Sequence, residues 1–191
     1  VVRRRSGEII HSVFSDLANF IDPGDLLVLN DTKVFRARLR GVKESGGKTE
    51  VLLLERFPYD GRSFWLALVD AGRRPRVGSQ IIFDAGVTAE VIGDLGRGRF
   101  GLEFHHGGDF SSVLERLGEP PLPLYITRQR ESEPLDRERY QTVYATHGGA
   151  IAAPTAGFHF TSELFDSLAQ QGIERVMLTL HVGPGTFEPV R

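Results

Sequence analysis

The middle of the chain alternates apolar and polar residues with the period of two that is typical of β-strands. The clearest run is 35–40, where Phe35, Ala37 and Leu39 alternate with three arginines. Further β-like runs, separated by turn residues, cover 49–56, 63–69, 80–83, 88–92 and 99–104. Six short strands of this kind predict a small antiparallel β-barrel, since closure leaves no unpaired edge.

The segments on either side of this region carry mixed helix and strand patterns. An apolar run at 26–29 predicts a buried strand, and residues 110–117 have apolar positions at helical spacing. A second helix is predicted from Thr161 to about Gly172, followed by a strand over 174–181.

These patterns predict an α/β main domain with a β-barrel inserted into it. The main domain comprises residues 1–33 plus 105–191, and the inserted small antiparallel β-barrel domain comprises 34–104. The chain opens on Val1 and breaks off after Val190 and Arg191 with no polar tail. We therefore expect the main domain to be incomplete here.

Composition narrows the class of protein. The 191 residues carry 40% hydrophobic and 25% charged residues with a net charge of -2, which is ordinary for a globular protein. The absence of cysteine excludes disulfides and thiolate chemistry, and we expect a cytoplasmic protein. No apolar run is long enough for a membrane span, and no signal peptide is recognisable, so we expect no membrane partner. Lys33, Lys43 and Lys48 are the only lysines, and the other basic residues are arginines, for which codon bias is the plainest explanation.

Two glycine-rich segments near the end of the chain each carry one histidine, namely 152–160 and 179–191. His159 and His181 are the candidate catalytic residues, because imidazole titrates near neutral pH. The alternative is that each histidine only binds a loop carbonyl. The neighbouring candidates for binding a substrate, through open backbone, hydroxyl groups or ring stacking, are Thr155, Gly157, Phe160, Gly183, Gly185, Thr186 and Phe187.

A polar sequence follows the predicted strand at 26–29, where α/β sheets commonly bind ligands. Asn30 and Asp31 are therefore candidate binding residues, with helix or turn capping as an equally good alternative. Tyr140, Gln141 and Tyr144 are further candidates for lining the same pocket.

Two other motifs are rejected. Residues 96–101 fit GxGxxG but lie between two predicted strands, whereas a dinucleotide site needs a helix after the glycines. His105 and His106 lack the partners and spacing of a metal site, so we expect no structural metal.

Several long motifs in a fixed order give the chain a recognisable pattern. They are 30–33 leading into 37–39, Gly46-Gly47-Lys48, the run 140–144, AAPTAGFHF and TLHVGPGTF. From about Gly24 to Arg191 the chain resembles the S-adenosylmethionine:tRNA ribosyltransferase-isomerases of queuosine biosynthesis.

This resemblance implies a two-domain enzyme with no tightly bound cofactor and S-adenosylmethionine as co-substrate. The enzyme would transfer the ribosyl part of S-adenosylmethionine to 7-aminomethyl-7-deazaguanine at the wobble position of tRNA and isomerise it. The products would be epoxyqueuosine in tRNA, adenine and methionine. The expected partners are S-adenosylmethionine and that tRNA, and the full-length protein is expected to be a monomer.

For contacts to tRNA, two arginine groups are candidates. The outward-facing polar row of the first predicted barrel strand consists of Arg36, Arg38 and Arg40. Arg38 matches the family pattern and is also a candidate substrate-binding residue. Arg73, Arg74 and Arg76 lie in a loop. Arg36 departs from the family pattern, which has proline there.

Other functions stay open at this stage. The chain is alternatively a noncatalytic RNA-binding protein with the family fold, an ordinary methyltransferase, or a fragment that is inactive without its C-terminal half. Glycine-rich histidine loops outside the barrel argue against the noncatalytic protein. The missing strand-to-helix GxGxxG argues against the methyltransferase.

Overall fold

The computed structural model describes residues 1–59, 62–123 and 135–187. It has ten strands in these parts of the chain: β1 (Leu26–Asn30), β2 (Thr32–Val34), β3 (Arg38–Lys43), β4 (Lys48–Tyr59), β5 (Arg62–Ala71), β6 (Gln80–Ile82), β7 (Thr88–Gly96), β8 (Arg99–His105), β9 (His147–Ala150) and β10 (Glu174–Leu178). The α-helices in the same parts are α1 (Phe110–Leu117), α2 (Asp136–Arg139) and α3 (Ser162–Gln170).

The predicted barrel is confirmed. Strands β3 to β8 form a closed barrel in the order β3-β4-β5-β8-β7-β6, and every neighbouring pair is antiparallel. Alternate residues of each strand point inward, so that Leu39, Val51, Ile81 and Leu102 are almost completely buried. The GxGxxG sequence spans the turn between β7 and β8. A strand and not a helix follows its glycines, which agrees with its rejection as a dinucleotide site.

Helix α1 packs against the barrel core. Phe110 and Val113 belong to the same buried cluster as the barrel interior, and the Phe110 ring contacts the rings of Trp65 and Phe104. The helix begins after Asp109 and ends at Gly118, as the sequence predicted. Its apolar face is buried against the barrel core, and such burial is how an amphipathic helix gains most of its stability.

Parallel strand pairs lie outside the barrel. β1 pairs with β10, and β2 pairs with β9. Helix α3 covers β1 through Leu164, Phe165 and Leu168, which share a core with Leu29. Mixed helices and parallel strands flank the barrel in sequence, but the division into two domains at residues 34 and 104 stays a prediction.

One prediction about the barrel is wrong. Arg36, Arg38 and Arg40 were expected to form an exposed row, but Arg38 is buried. The chain after α1 crosses this strand: Arg38 pairs with Glu119 through backbone hydrogen bonds, and its guanidinium donates to the carbonyl of Leu122. Glu50 lies 3.4 Å from its Nε. Arg38 therefore fixes the connection between barrel and helix and does not face solvent.

The neighbouring arginines serve the same connection. Arg36 pairs with the carboxylate of Glu115 at 2.8 Å, and Arg40 pairs with that of Glu119 at 3.2 Å. Alternation along one strand identifies a face, but it does not show which other segment covers that face.

None of the helices in the described parts of the chain is long and apolar enough to cross a membrane.

The junction between α1 and the barrel leaves no space for a side chain at Gly118. A Cβ atom there would lie 2.4 Å from the carbonyl oxygen of Arg36 and 2.5 Å from that of Leu114. We expect Gly118→Ala to lower the free energy of unfolding by about 1–3 kcal/mol, because backbone atoms must move to relieve the overlap. Urea denaturation followed by circular dichroism measures this change.

Gly107→Ala is the matched control, because a Cβ atom at Gly107 has no neighbour within 4 Å. Equal urea midpoints for Gly118→Ala and the unsubstituted chain would contradict this packing of α1.

Candidate functional site

The candidate site is built around Asp31, the residue between β1 and β2. Its backbone N-H donates to the carbonyl of Leu178, and its carbonyl accepts from the N-H groups of Thr146 and His147. One residue therefore joins the ends of three chain segments. Its side chain is 8% exposed and lies at the centre of this junction.

The Asp31 carboxylate has a partner on each side. Thr179 Oγ1 donates to Oδ1 over 2.7 Å, and His147 Nδ1 lies 3.1 Å from Oδ2. The hydrogen bond from Thr179 is the main reason that the pKa of Asp31 is lowered from its ordinary value. Burial opposes this effect, and His147 reinforces it. Asp31 is therefore a carboxylate at neutral pH and holds the ring of His147 by one nitrogen.

Asn30 holds the segment that carries His181. Its side-chain amide donates to the carbonyl of Leu180 over 2.9 Å, and its Oδ1 accepts from the N-H of Leu180 over 3.0 Å. This pair of hydrogen bonds extends the pairing of β1 and β10 beyond the last strand residue. The sequence predicted a ligand-binding role for Asn30, whereas its contacts favour a positioning role.

His181 is oriented by Thr32 and by a glycine. Its Nδ1 lies 2.8 Å from Oγ1 of Thr32, which is fully buried. Its ring lies against Gly149, where a Cβ atom would be 2.7 Å from Nε2. Gly149 also has a φ of +149°, which side chains rarely adopt. The Nε2 atom has no hydrogen-bond partner among the described residues, so it is available to a ligand.

A cavity of about 590 Å³ lies beside His181. Its aromatic lining residues are Phe35, Trp65 and Phe110, and Gly149 and Gly183 also line it. The polar residues of its lining are Glu55, Arg56, Ser111 and His181. Its size and its mixture of aromatic and polar groups suit a small organic ligand.

A β-bulge brings the barrel side chains into this cavity. The register of β4 against β5 shifts between Leu53 and Glu55, so that Leu53 and Leu54 are both buried. The shift moves the next residues by one position relative to the alternating pattern, and Glu55 and Arg56 line the cavity.

The structure does not place His159 in this cavity. The exposed ring of His159 lies 5.1 Å from that of Phe14, in a 3₁₀ turn over Thr155–His159. The sequence made both histidines candidate catalytic residues, but of the two only His181 lines this cavity.

Other predicted site residues have packing roles. Phe160 is buried and its ring stacks on that of Phe165 at 5.1 Å, which favours a core role. Tyr140 is buried in a cluster with Val34 and Leu122. Tyr144 packs against Phe160, and burial raises the pKa of its hydroxyl.

The structure gives Gln141 a hydrogen-bonding role and Gly157 a packing role. The Gln141 amide accepts from the N-H of Val34 and donates to its carbonyl, at 3.0 and 2.7 Å, as a neighbouring strand would. A Cβ atom at Gly157 would lie 2.3 Å from the hydroxyl oxygen of Tyr144. Gly157 therefore permits close packing, and its φ is not positive.

The remaining predicted residues lie near the surface. Thr155, Gly185 and Thr186 are exposed, and Gly183 lines the cavity with a φ that is not positive. The side chain of Phe187 lies outside the described residues. Among the residues that the structure does describe, no three His, Asp or Glu side chains are grouped as metal ligands would be.

Sequence reasoning missed His147, Gly149, Thr179 and Trp65. The sequences Thr146-His147-Gly148-Gly149 and Thr179-Leu180-His181-Val182-Gly183 share the order hydroxyl, histidine and glycine. That shared pattern was the available signal for His147. Nothing in the sequence shows that Trp65, from the barrel, reaches the same place.

The chain matches known proteins along its whole length. The model of the queuosine biosynthesis protein family matches residues 1–191. A relative from Trichlorobacter lovleyi is 48% identical over 191 residues, and one from Symbiobacterium thermophilum is 50% identical over 192 residues. Both are named S-adenosylmethionine:tRNA ribosyltransferase-isomerase, and each match covers 100% of this chain and 54% of the relative.

A solved S-adenosylmethionine tRNA ribosyltransferase from Thermotoga maritima is 26% identical. The match covers 95% of this chain and 49% of that one, with a TM-score of 0.33. The chain thus spans about half the length of the curated relatives and of the solved structure that it matches. The family match agrees with the resemblance carried by the sequence motifs, and the chain belongs to the queuosine biosynthesis protein family.

Proposed function

We propose that this chain forms one part of an S-adenosylmethionine:tRNA ribosyltransferase-isomerase. The observation that carries this proposal is the cavity between the barrel and the His181 loop, in a chain of the queuosine biosynthesis family. The enzyme transfers the ribosyl part of S-adenosylmethionine to the aminomethyl group of 7-aminomethyl-7-deazaguanine in tRNA. A carbon–nitrogen bond forms, the ribosyl unit is isomerised to an epoxycyclopentane, and adenine and methionine leave.

His181 supplies the proton transfer at the cavity. The reaction needs a base for the carbon next to the sulfonium and an acid for the departing adenine, and imidazole serves either purpose at neutral pH. The hydrogen bond with Thr32 holds Nδ1, so that Nε2 is the atom presented to the ligand. Trp65 and Phe110 supply apolar lining to the same cavity.

Asp31 and His147 hold the loops in place beside this group. Asp31 fixes Thr179, two residues before His181, and it fixes His147, two residues before Gly149. The exposed edge of His147 makes it a second candidate for proton transfer, because 62% of its side chain is open to solvent. The proposed roles of His181 and His147 both depend on the ionised carboxylate of Asp31.

Measuring adenine release from S-adenosylmethionine in the presence of tRNA carrying the deazaguanine base tests the proposal directly. Formation of methylated RNA with S-adenosylhomocysteine would contradict it. All activity measurements use the complete gene product.

The two histidines that the sequence identified are expected to differ. We expect His181→Gln to lower the rate of adenine release by about 100-fold or more, the usual loss on removing a general acid or base. His159→Gln is the matched control, and we expect a rate near that of the unsubstituted enzyme because the His159 ring contacts Phe14 outside the cavity. Equal losses in the two variants would contradict the assignment to His181.

The lowered pKa of Asp31 predicts how stability depends on pH. The folded protein favours the ionised form, so the stabilisation is present above the ordinary pKa of 3.8 and is lost as pH falls through the lower folded value. We expect Asp31→Asn to be less stable than the unsubstituted chain at pH 7 and to approach it in stability below pH 3.8. Urea denaturation at a series of pH values measures both curves.

Asp109→Asn is the control, because Asp109 makes no side-chain hydrogen bond at the start of α1. The difference in unfolding free energy between Asp31→Asn and the unsubstituted chain should therefore shrink at acidic pH. If it stays constant from neutral to acidic pH, these hydrogen bonds do not favour the ionised form of Asp31.

The loop arginines are the better candidates for tRNA phosphates. Arg73, Arg74 and Arg76 are exposed, although Arg74 pairs with Asp94. We expect replacement of all three with Ala to flatten the slope of log affinity for tRNA against log salt by about 0.7–0.9 for each phosphate contact that is lost. Filter binding over a series of salt concentrations gives the slope.

Replacement of Arg3, Arg4 and Arg5 with Ala is the matched control, because it removes the same charge from another exposed part of the chain. Identical slopes for the two triple variants would remove the 73–76 loop from the tRNA interface.

A further inference from the structure

The cavity beside His181 is lined by two charged side chains that the proposed proton transfer does not use. Glu55 and Arg56 follow each other on β4, and both are exposed. Of the described residues that line the cavity, these two and His181 carry the ionisable side chains. The barrel therefore gives the cavity one carboxylate and one guanidinium.

Neither of these two charges is paired within the protein. Arg62, on the neighbouring strand β5, pairs with the carboxylate of Glu103 at 3.4 Å. No ion pair joins Glu55 or Arg56 to another residue in the described ranges 1–59, 62–123 and 135–187. Successive residues of a strand point to opposite faces of the sheet, which keeps the two from pairing with each other. A bound ligand is left to supply the partner of each charge.

The position of the two residues on β4 lets one ligand contact both. Arg56 is paired with Trp65, and Glu55 is paired with Leu66. Directly opposite residues of antiparallel strands share a face, so Arg56 lies on the Trp65 side of the sheet and Glu55 on the Leu66 side. On its other edge, β4 pairs with β3 only as far as Leu52. No strand of the described ranges covers that edge at Glu55 and Arg56, and a ligand lying along it reaches both faces.

Aromatic rings supply a third kind of contact in the cavity. The ring centroid of Trp65 lies 5.9 Å from that of Phe35 and 5.5 Å from that of Phe110, and all three residues line the cavity. Aromatic faces attract organic cations, including those that have no hydrogen to donate. The cavity thus suits two cationic groups, one at Glu55 and one at the rings, together with one anionic group at Arg56.

From this match we propose that the cavity binds the amino-acid end of S-adenosylmethionine, with Arg56 binding the carboxylate and Glu55 binding the ammonium. This inference rests on the proposed function. S-adenosylmethionine carries a carboxylate, an ammonium and a sulfonium, and the sulfonium lies against the aromatic rings. The two parallel N-H donors of an arginine match the two oxygens of a carboxylate. The aminomethyl-deazaguanine base brings one cation and no anion, so it leaves Arg56 without a partner.

The test measures adenine release by the complete gene product over a series of S-adenosylmethionine concentrations, with saturating tRNA that carries the deazaguanine base. We expect Arg56→Gln to raise the KM for S-adenosylmethionine by about 10- to 100-fold, the range for loss of a hydrogen bond to a charged group. The KM for tRNA stays unchanged. Arg56→Lys keeps the charge but loses the parallel donors, and we expect it to recover part of the loss.

Arg116→Gln is the matched control. It removes the same charge from an exposed position on α1 that does not line the cavity. We expect its KM for S-adenosylmethionine to equal that of the unsubstituted enzyme. An equal rise in KM for Arg116→Gln and Arg56→Gln would overturn the proposal, because the effect would then come from net charge.

Decarboxylated S-adenosylmethionine identifies the group that Arg56 binds. Its inhibition constant Ki against S-adenosylmethionine is measured for both enzymes. We expect Arg56→Gln to leave this Ki unchanged, because the ligand already lacks the group that the arginine binds. An equal rise in KM for S-adenosylmethionine and in Ki for the decarboxylated ligand overturns the proposal.

Glu55 is tested in the same way with the analogue that has hydrogen in place of the amino group. We expect Glu55→Gln to raise the KM for S-adenosylmethionine and to leave the Ki of this analogue unchanged. Equal losses for the two ligands overturn the contact between Glu55 and the ammonium.

The remaining outcomes separate this proposal from the proposed function. If Arg56→Gln raises the KM for tRNA and leaves that for S-adenosylmethionine unchanged, Arg56 binds an RNA phosphate and the subsite is overturned while the function stands. If the unsubstituted protein releases no adenine, the proposed function fails. Equilibrium dialysis with labelled S-adenosylmethionine then tests the subsite without turnover. Weaker binding to Arg56→Gln than to Arg116→Gln supports the subsite, and equal binding overturns it.

Discussion

The buried carboxylate of Asp31 is the constraint on which the arrangement of the site depends. A carboxylate whose side chain is 8% exposed needs hydrogen-bond donors, because an unpaired buried charge is destabilising. Asp31 finds them in Thr179 and His147, on two segments that are far apart in the sequence. Satisfying one charge therefore fixes the segments that carry Thr179 and His147 relative to β1. The orientation of His181 follows from this, since Thr32 and Asn30 on either side of Asp31 complete its support.

The barrel supplies the other wall of the cavity, and it does so by departing from regular alternation. The bulge at Leu54 turns the end of β4 so that Glu55 and Arg56 face the loops. Helix α1 closes the barrel and places Phe110 beside Trp65. Arg36, Arg38 and Arg40 hold this helix and the segment after it against β3. These arginine contacts thus help to keep Phe110 of α1 in place beside the cavity.

Local pattern predicted the elements well, because strand and helix periods are properties of neighbouring residues. Five of the six barrel strands and the helices at 110–117 and 162–170 lie where alternation and capping residues placed them. The first barrel strand was predicted at 35–40 and instead runs over Arg38–Lys43. The site was predicted less well. His181, Asn30 and Asp31 come together, but His159 and Phe160 pack elsewhere and His147 was missed. Which loops meet depends on hydrogen bonds such as Asp31 to His147, 116 residues apart, and no local period encodes such a pairing.

Glycine has three different physical roles around the site, and only one of them was expected. Gly149 combines a positive φ with the close approach of the His181 ring. Gly157 makes room for the hydroxyl of Tyr144, and Gly118 lets the backbone after α1 pack against the carbonyl of Arg36. A glycine-rich sequence therefore does not by itself indicate a ligand loop. What distinguishes Gly149 is that the atom occupying its free space belongs to an imidazole with one available nitrogen, so that the missing side chain positions a reactive group.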